Sequence, residues 1–275
     1  MKRYFYLTAL LFCSACGIDD ATIRQISGTT GKTAGSSVTT SVTQTAPLAR
    51  DDFDGTAVKI VEAINKAFEE TRTPTGAIFG HWMTESGEIY GDTGHAGGCS
   101  AREQYEIMAV WRPSRGKANL AALAYIAKNL HRDIDTIQGS CGNSTLEKRG
   151  TTFGGALGPA QVLADGWVSD PLSKDKDVLN LLDGIAWIAR HDRIQFDNAP
   201  AGYNEDDLAR WEYAVRSYYG ALGSDANEKS QKRQEPSLLY YKHVTAHWIR
   251  WGKASQEERV ALVKANLIRR NRQNS

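Results

Sequence analysis

The chain has 275 residues, of which 41% are hydrophobic and 24% charged, and a formal net charge of +1. That is the composition of an ordinary globular protein, long enough for one or two domains. With acids and bases so nearly matched there is no basic field for nucleic acid, and that class of partner is set aside.

The first residues read as an export signal rather than as fold. Met1-Lys2-Arg3 is positive, and the YFYLTALLF that follows is apolar but too short to span a bilayer comfortably. Residues 13–16, Cys-Ser-Ala-Cys, resemble the box of a bacterial lipoprotein signal. Cys13 stands where such boxes usually carry an aliphatic residue. The resemblance implies cleavage before Cys16, lipidation of that cysteine, and a membrane anchor in the cell envelope, periplasmic or extracellular. The other reading is an ordinary signal peptide cleaved nearby. Either way residues 1–15 are signal, and residues 16–50, rich in Ser, Thr and Gly, are a flexible tether that buries too little to order itself. The GTTGKT within it lacks the P-loop's first glycine, since Ile26 occupies that position.

Four cysteines occur, Cys13, Cys16, Cys99 and Cys141. If the first leaves with the signal and the second carries lipid, Cys99 and Cys141 remain to pair in an oxidising compartment. The alternatives are free thiols or metal ligands. No C-x-x-C pair accompanies Cys99 and Cys141, so no metal is expected.

From Asp51 the pattern is helical, and residues 51–275 are assigned to one mainly α domain. TAVKIVEAINKAFEE keeps its apolar residues on one face. Pro74 opens an apolar helix that runs to Glu85. KANLAALAYIAKNL and KDVLNLLDGIAWIAR are amphipathic helices. Asn204 can cap EDDLARWEYAVRSYYG, Pro236 can start SLLYYKHVTAHWIRW, and Ser255 with Glu258 forms a capping box for the last helix. No run alternates with period two.

Three stretches carry candidate chemistry. Glu85 sits at the last turn of an apolar helix, where the helix dipole and neighbouring aromatics disfavour a negative charge. A carboxylic acid kept protonated near neutral pH is what a glycosidic oxygen needs in order to leave. The bland alternative is a solvated residue at a helix end. FGGALGPAQVLADGW, residues 153–167, puts a glycine-rich approach before a helix with Gln161 at its mouth. Glycines there let a backbone come close to something, and the amide offers both a donor and an acceptor. Gln161 could equally be an N-terminal helix residue bonding local backbone. The third stretch is RSYYG, residues 216–220, whose paired tyrosines could also be core or rim packing.

The three stretches, in this order and spacing, resemble the peptidoglycan lytic transglycosylases. The likeness is greatest to the branch with a Gly-Gly-Ala-Met-Gly-Pro-Ala-Gln block, Leu157 standing for the methionine. It extends through GGCS at 97–100, the segment 111–130 and Ser-Cys at 140–141, and covers roughly residues 75–245. It implies a lysozyme-like fold, a glycan-strand substrate, no cofactor, a monomer, and Glu85 as the single catalytic acid and base. By the same resemblance Ser86, Gly158, Gln161, Tyr218 and Tyr219 contact substrate, with Tyr218 matching a tyrosine that hydrogen-bonds near the acid. Tyr219 occupies a position where many members have asparagine. Glu88 and Asp92 lie close enough in sequence to supply a second carboxylate, so a muramidase is the first rival. A wall-binding protein that has lost turnover is the second.

Other motifs fall away. His243 and His247 have the spacing of a zinc helix, but Val244 replaces the glutamate of H-E-x-x-H. Ser86 lacks the glycine of a nucleophile elbow. Most of the tryptophans read as helix-face core residues.

Overall fold

The computed structural model describes residues 52–85, 98–150, 152–203, 206–219 and 231–273. Cys13, Cys16, Ser86, Glu88, Asp92 and Asn204, together with the signal and the tether, lie outside the described residues. What is described is mainly helical. Its α-helices are α1 (Phe53–Thr71), α2 (Thr75–Met83), α3 (Ala101–Trp111), α4 (Pro113–Asn129), α5 (Ala164–Ser169), α6 (Leu181–Asp197), α7 (Asp207–Tyr218), α8 (Gln231–Lys253) and α9 (Gln256–Gln273). Two strands of two residues, β1 (Cys99–Ser100) and β2 (Gln138–Gly139), pair antiparallel, Cys99 opposite Gly139. Among the described residues no helix is long and apolar enough to cross a membrane.

Local chemistry sets the helix ends. The Asp52 carboxylate accepts from the Gly55 N–H at 2.8 Å to start α1, and the chain leaves that helix at Arg72 in the left-handed region, φ 63°. Ser255 and Glu258 form the reciprocal capping box, with contacts of 2.6 and 3.2 Å. Three expected starts move. α6 begins at Leu181, five residues after Lys176, because the Asn180 side chain accepts from the Leu182 and Asp183 N–H groups. Asp206 caps α7 by accepting from Ala209 N–H at 2.8 Å. α8 begins at Gln231, ahead of Pro236. Helix α3 has no counterpart in the sequence reading. Ser100 caps it at 3.3 Å and it buries Ala101, Gln104, Tyr105 and Met108 on one face.

The main core gathers Trp82, Trp167, Trp251, Phe79 and Tyr105 with Ile60, Ile64, Leu123 and Ile126. These tryptophans are fully buried core residues, whereas Trp111 is exposed. α2 packs chiefly against α8. The two helices approach closely at Gly80, where an added Cβ would stand 2.4 Å from the Val244 carbonyl oxygen. Phe79 stacks on Trp251 at 4.2 Å. This contact carries the α8 side chains to the C-terminal end of α2. A Cys99–Cys141 disulfide, with Cα atoms 5.2 Å apart, ties β1 to the chain just beyond β2.

Candidate active site

The last turn of α2 widens at Thr84 and Glu85 into a π-type turn. Glu85 keeps part of its surface open, but aromatic groups crowd its carboxylate. The Tyr240 hydroxyl on α8 donates to Glu85 Oε1 at 2.5 Å. Burial raises the Glu85 pKa from 4.5 to about 7, against the opposing pull of the Tyr240 hydrogen bond and the His81 charge. Burial, more than any other influence, makes Glu85 an acid that both holds and yields a proton near neutrality. Among the described residues, Tyr240 and His81 are the groups that act on its charge, and neither is a carboxylate.

Behind Glu85 the site is polar and buried. His81 lies one helical turn earlier on the same face, fully buried, with Nδ1 2.9 Å from Oδ2 of the fully buried Asp192 on α6. Burial, the largest single influence, works to raise the Asp192 carboxyl, but the charges and hydrogen bonds of His81 and His191 together hold the group below its ordinary value. The His81 ring is flanked by the rings of Tyr218 at 4.7 Å and Tyr240 at 5.7 Å. Burial, reinforced by the Glu85 charge, pushes both phenols well above their usual range, so they remain donors.

The glycine-rich stretch is a tight turn. Leu157 and Val162 bridge as an antiparallel pair around Gly158-Pro159-Ala160-Gln161, and helix α5 starts only at Ala164. Gln161 therefore sits in the turn rather than at the helix mouth. Its φ is 48°, and its side-chain amide donates to the Gly158 carbonyl at 2.8 Å. What comes close to the glycines is the protein itself. At Gly155 (φ 100°) an added Cβ would meet the Tyr105 ring at 2.3 Å, and at Gly158 (φ 59°) the Val178 carbonyl oxygen at 1.9 Å. Tyr105 locks the turn from beneath, donating to the Gly155 carbonyl at 2.5 Å and accepting from Ala164 N–H at 3.0 Å.

Tyr218 links the third stretch to the second, because its hydroxyl donates to the Ala160 carbonyl. The tyrosine bonded to the acid is Tyr240, so Tyr218 supports the turn and flanks His81 instead. Tyr219 is exposed, with its ring 5.4 Å from that of Tyr240. Glu85, the turn and the paired tyrosines, remote in sequence, thus meet in one place. Sequence reasoning missed Tyr240, His81 and Asp192. Tyr240 looked like any aromatic on a core-facing helix. His81 showed one signal, its spacing of four residues before Glu85.

Against family models, curated proteins and solved structures the chain finds no match.

Proposed function

We propose that the chain is a peptidoglycan lytic transglycosylase with a lysozyme-like domain, acting on glycan strands as a monomer. The observation that carries the reading is Glu85, a crowded carboxylic acid whose pKa burial pushes up to about 7 and which the Tyr240 hydroxyl holds. A retaining or inverting hydrolase would need a second carboxylate, for which Glu88 and Asp92, outside the described residues, are the candidates in the sequence, whereas an intramolecular transfer needs only Glu85.

In this scheme protonated Glu85 gives its proton to the oxygen joining N-acetylmuramic acid to N-acetylglucosamine, and the C1–O bond breaks with the electron pair going to that oxygen. The substrate's own N-acetyl carbonyl stabilises the cation at C1. Glu85, now a carboxylate, takes the proton of the C6 hydroxyl as O6 bonds to C1, which closes the 1,6-anhydro ring and restores the acid. No water is consumed and no cofactor or metal is required. The Tyr240 hydrogen bond favours the carboxylate stage, and burial favours the acid stage. Gly158, Gln161, Tyr218 and the exposed Tyr219 are proposed to contact sugar, as is Ser86. An anchor through Cys16 would hold the domain at a membrane in the cell envelope, and Cys16→Ser would release it to the soluble fraction.

Digestion of purified sacculi tests the reading. Anhydro-muropeptides, one water lighter than reducing-end products, are expected. Hydrated ends reassign the chain to the muramidases, and binding without cleavage reassigns it to wall-binding proteins.

A further inference from the structure

The His81–Asp192 pair is buried to zero exposure. The partners of the Asp192 carboxylate are two histidines, His81 with Nδ1 2.9 Å from Oδ2 and His191 with Nδ1 3.8 Å from Oδ1. A buried charge pair is often no more stabilising than apolar residues of the same volume. A fully buried His–Asp pair one turn behind an acid, in ring contact with the tyrosine that bonds that acid, points to a role in its chemistry.

We propose that His81 and Asp192 are positioning residues for Glu85: the imidazole lies against the stacked rings of Tyr218 and Tyr240 one helical turn before the acid, and its charge, balanced by Asp192, sets how readily Glu85 gives up and recovers its proton. The proposal deepens the reading of Glu85 as the acid of a transglycosylase and rests on it. His81 and Glu85 are four residues apart and share a face of α2. The rings that flank His81 include Tyr240, which bonds Glu85 directly. Asp192 is not among the groups that act on Glu85, so it works through His81.

The surroundings of the pair are few. From α6 come Asp192 and His191, whose Nδ1 lies 3.8 Å from Asp192 Oδ1. Tyr218 comes from α7 and Tyr240 from α8. The charged side chains of α1 are all exposed. A crowded acid with no positive neighbour would bind its proton too tightly to return as a base. The His81 charge opposes that, and one group can then run both halves of the reaction.

The test is an NMR titration of the full chain, carboxyl-labelled on glutamate and ring-labelled on histidine, with no substrate present. In the wild type the Glu85 carboxyl should titrate near 7. The paired variant His81→Gln/Asp192→Asn removes both charges and leaves no lone buried ion. It should raise the Glu85 midpoint by roughly half a pH unit or more, about a threefold gain in proton affinity. His81→Gln alone, where it folds, should raise it by a similar amount, because Asp192 then has no route to Glu85. The alkaline limb of kcat/KM on sacculi should move with the midpoint. An unmoved Glu85 midpoint in the paired variant overturns the proposal. If the midpoint moves but wild type has no turnover, the pair stands and the transglycosylase reading falls. Turnover with an unmoved midpoint removes the pair alone.

Discussion

Replacing Glu85 by glutamine separates what the fold needs at this position from what the reaction needs. The amide is nearly isosteric, and the Tyr240 hydroxyl can go on donating to Oε1, so packing survives. What disappears is a titration. In the folded chain Glu85 keeps its proton to about pH 7, while in the unfolded chain it ionises near 4.5. Between those values the unfolded state releases a proton that the folded state retains, so wild-type stability falls as pH rises through the window. At 1.36 kcal/mol per pH unit the full window is worth roughly 3 kcal/mol, and solvent at the open edge of the side chain reduces this to about 2–3 kcal/mol. Glu85→Gln is therefore expected to match the wild type near pH 4 and to exceed it by about 2–3 kcal/mol near pH 8. Its digestion of sacculi should fall by about 10²–10⁴-fold or more, because one residue serves as both acid and base. Urea unfolding at several pH values, followed by tryptophan fluorescence, gives the stability difference without any assumption about function. A difference that stays constant with pH would refute the reasoning, since Glu85 would then ionise in the fold as it does outside it and could not be an acid at neutral pH.

Tyr240→Phe removes the donor that favours the carboxylate. The alkaline limb of the pH–rate profile should move up by about one pH unit, the worth of a hydrogen bond to a charged group; an unmoved limb would mean the bond does not reach the working acid. Gly158→Ala forces a side chain into a left-handed backbone and onto the Val178 carbonyl, so it should lose about 2 kcal/mol or more by thermal melting. Gly252→Ala in α8 meets nothing within 4 Å and should stabilise by about 0.5–1 kcal/mol, the helix-propensity difference, which makes it the control. Opening the Cys99–Cys141 disulfide, which spans 42 residues of chain, should cost about 4 kcal/mol at 25 °C in the chain-entropy picture, measured as a shift in the urea midpoint between oxidised and reduced protein.

Helices α1, α4 and α9 are legible in the sequence because periodicity and capping are local. Apolar spacing needs only its own segment, and the Ser255–Glu258 box needs only four consecutive residues. Glu85 is legible too, since an acid at the end of an apolar helix announces a conflict between charge and surroundings. The pairing of Cys99 with Cys141 could be argued from cysteine number and compartment. The working neighbours of the acid belong to another order of information. Tyr240 stands 155 residues from Glu85, and only the close approach of α2 to α8 at Gly80 brings its hydroxyl to Oε1. His81 and Asp192 are joined by the packing of α2 on α6, which no spacing along the chain encodes. The glycine-rich stretch shows the same division. Its need for close approach could be read from composition, but that Tyr105 and Val178 fill the space, and that Gln161 turns back on Gly158, was decided by tertiary contacts. A local sequence pattern says which face of a helix is apolar, and the choice of which faces meet is made by the core as a whole.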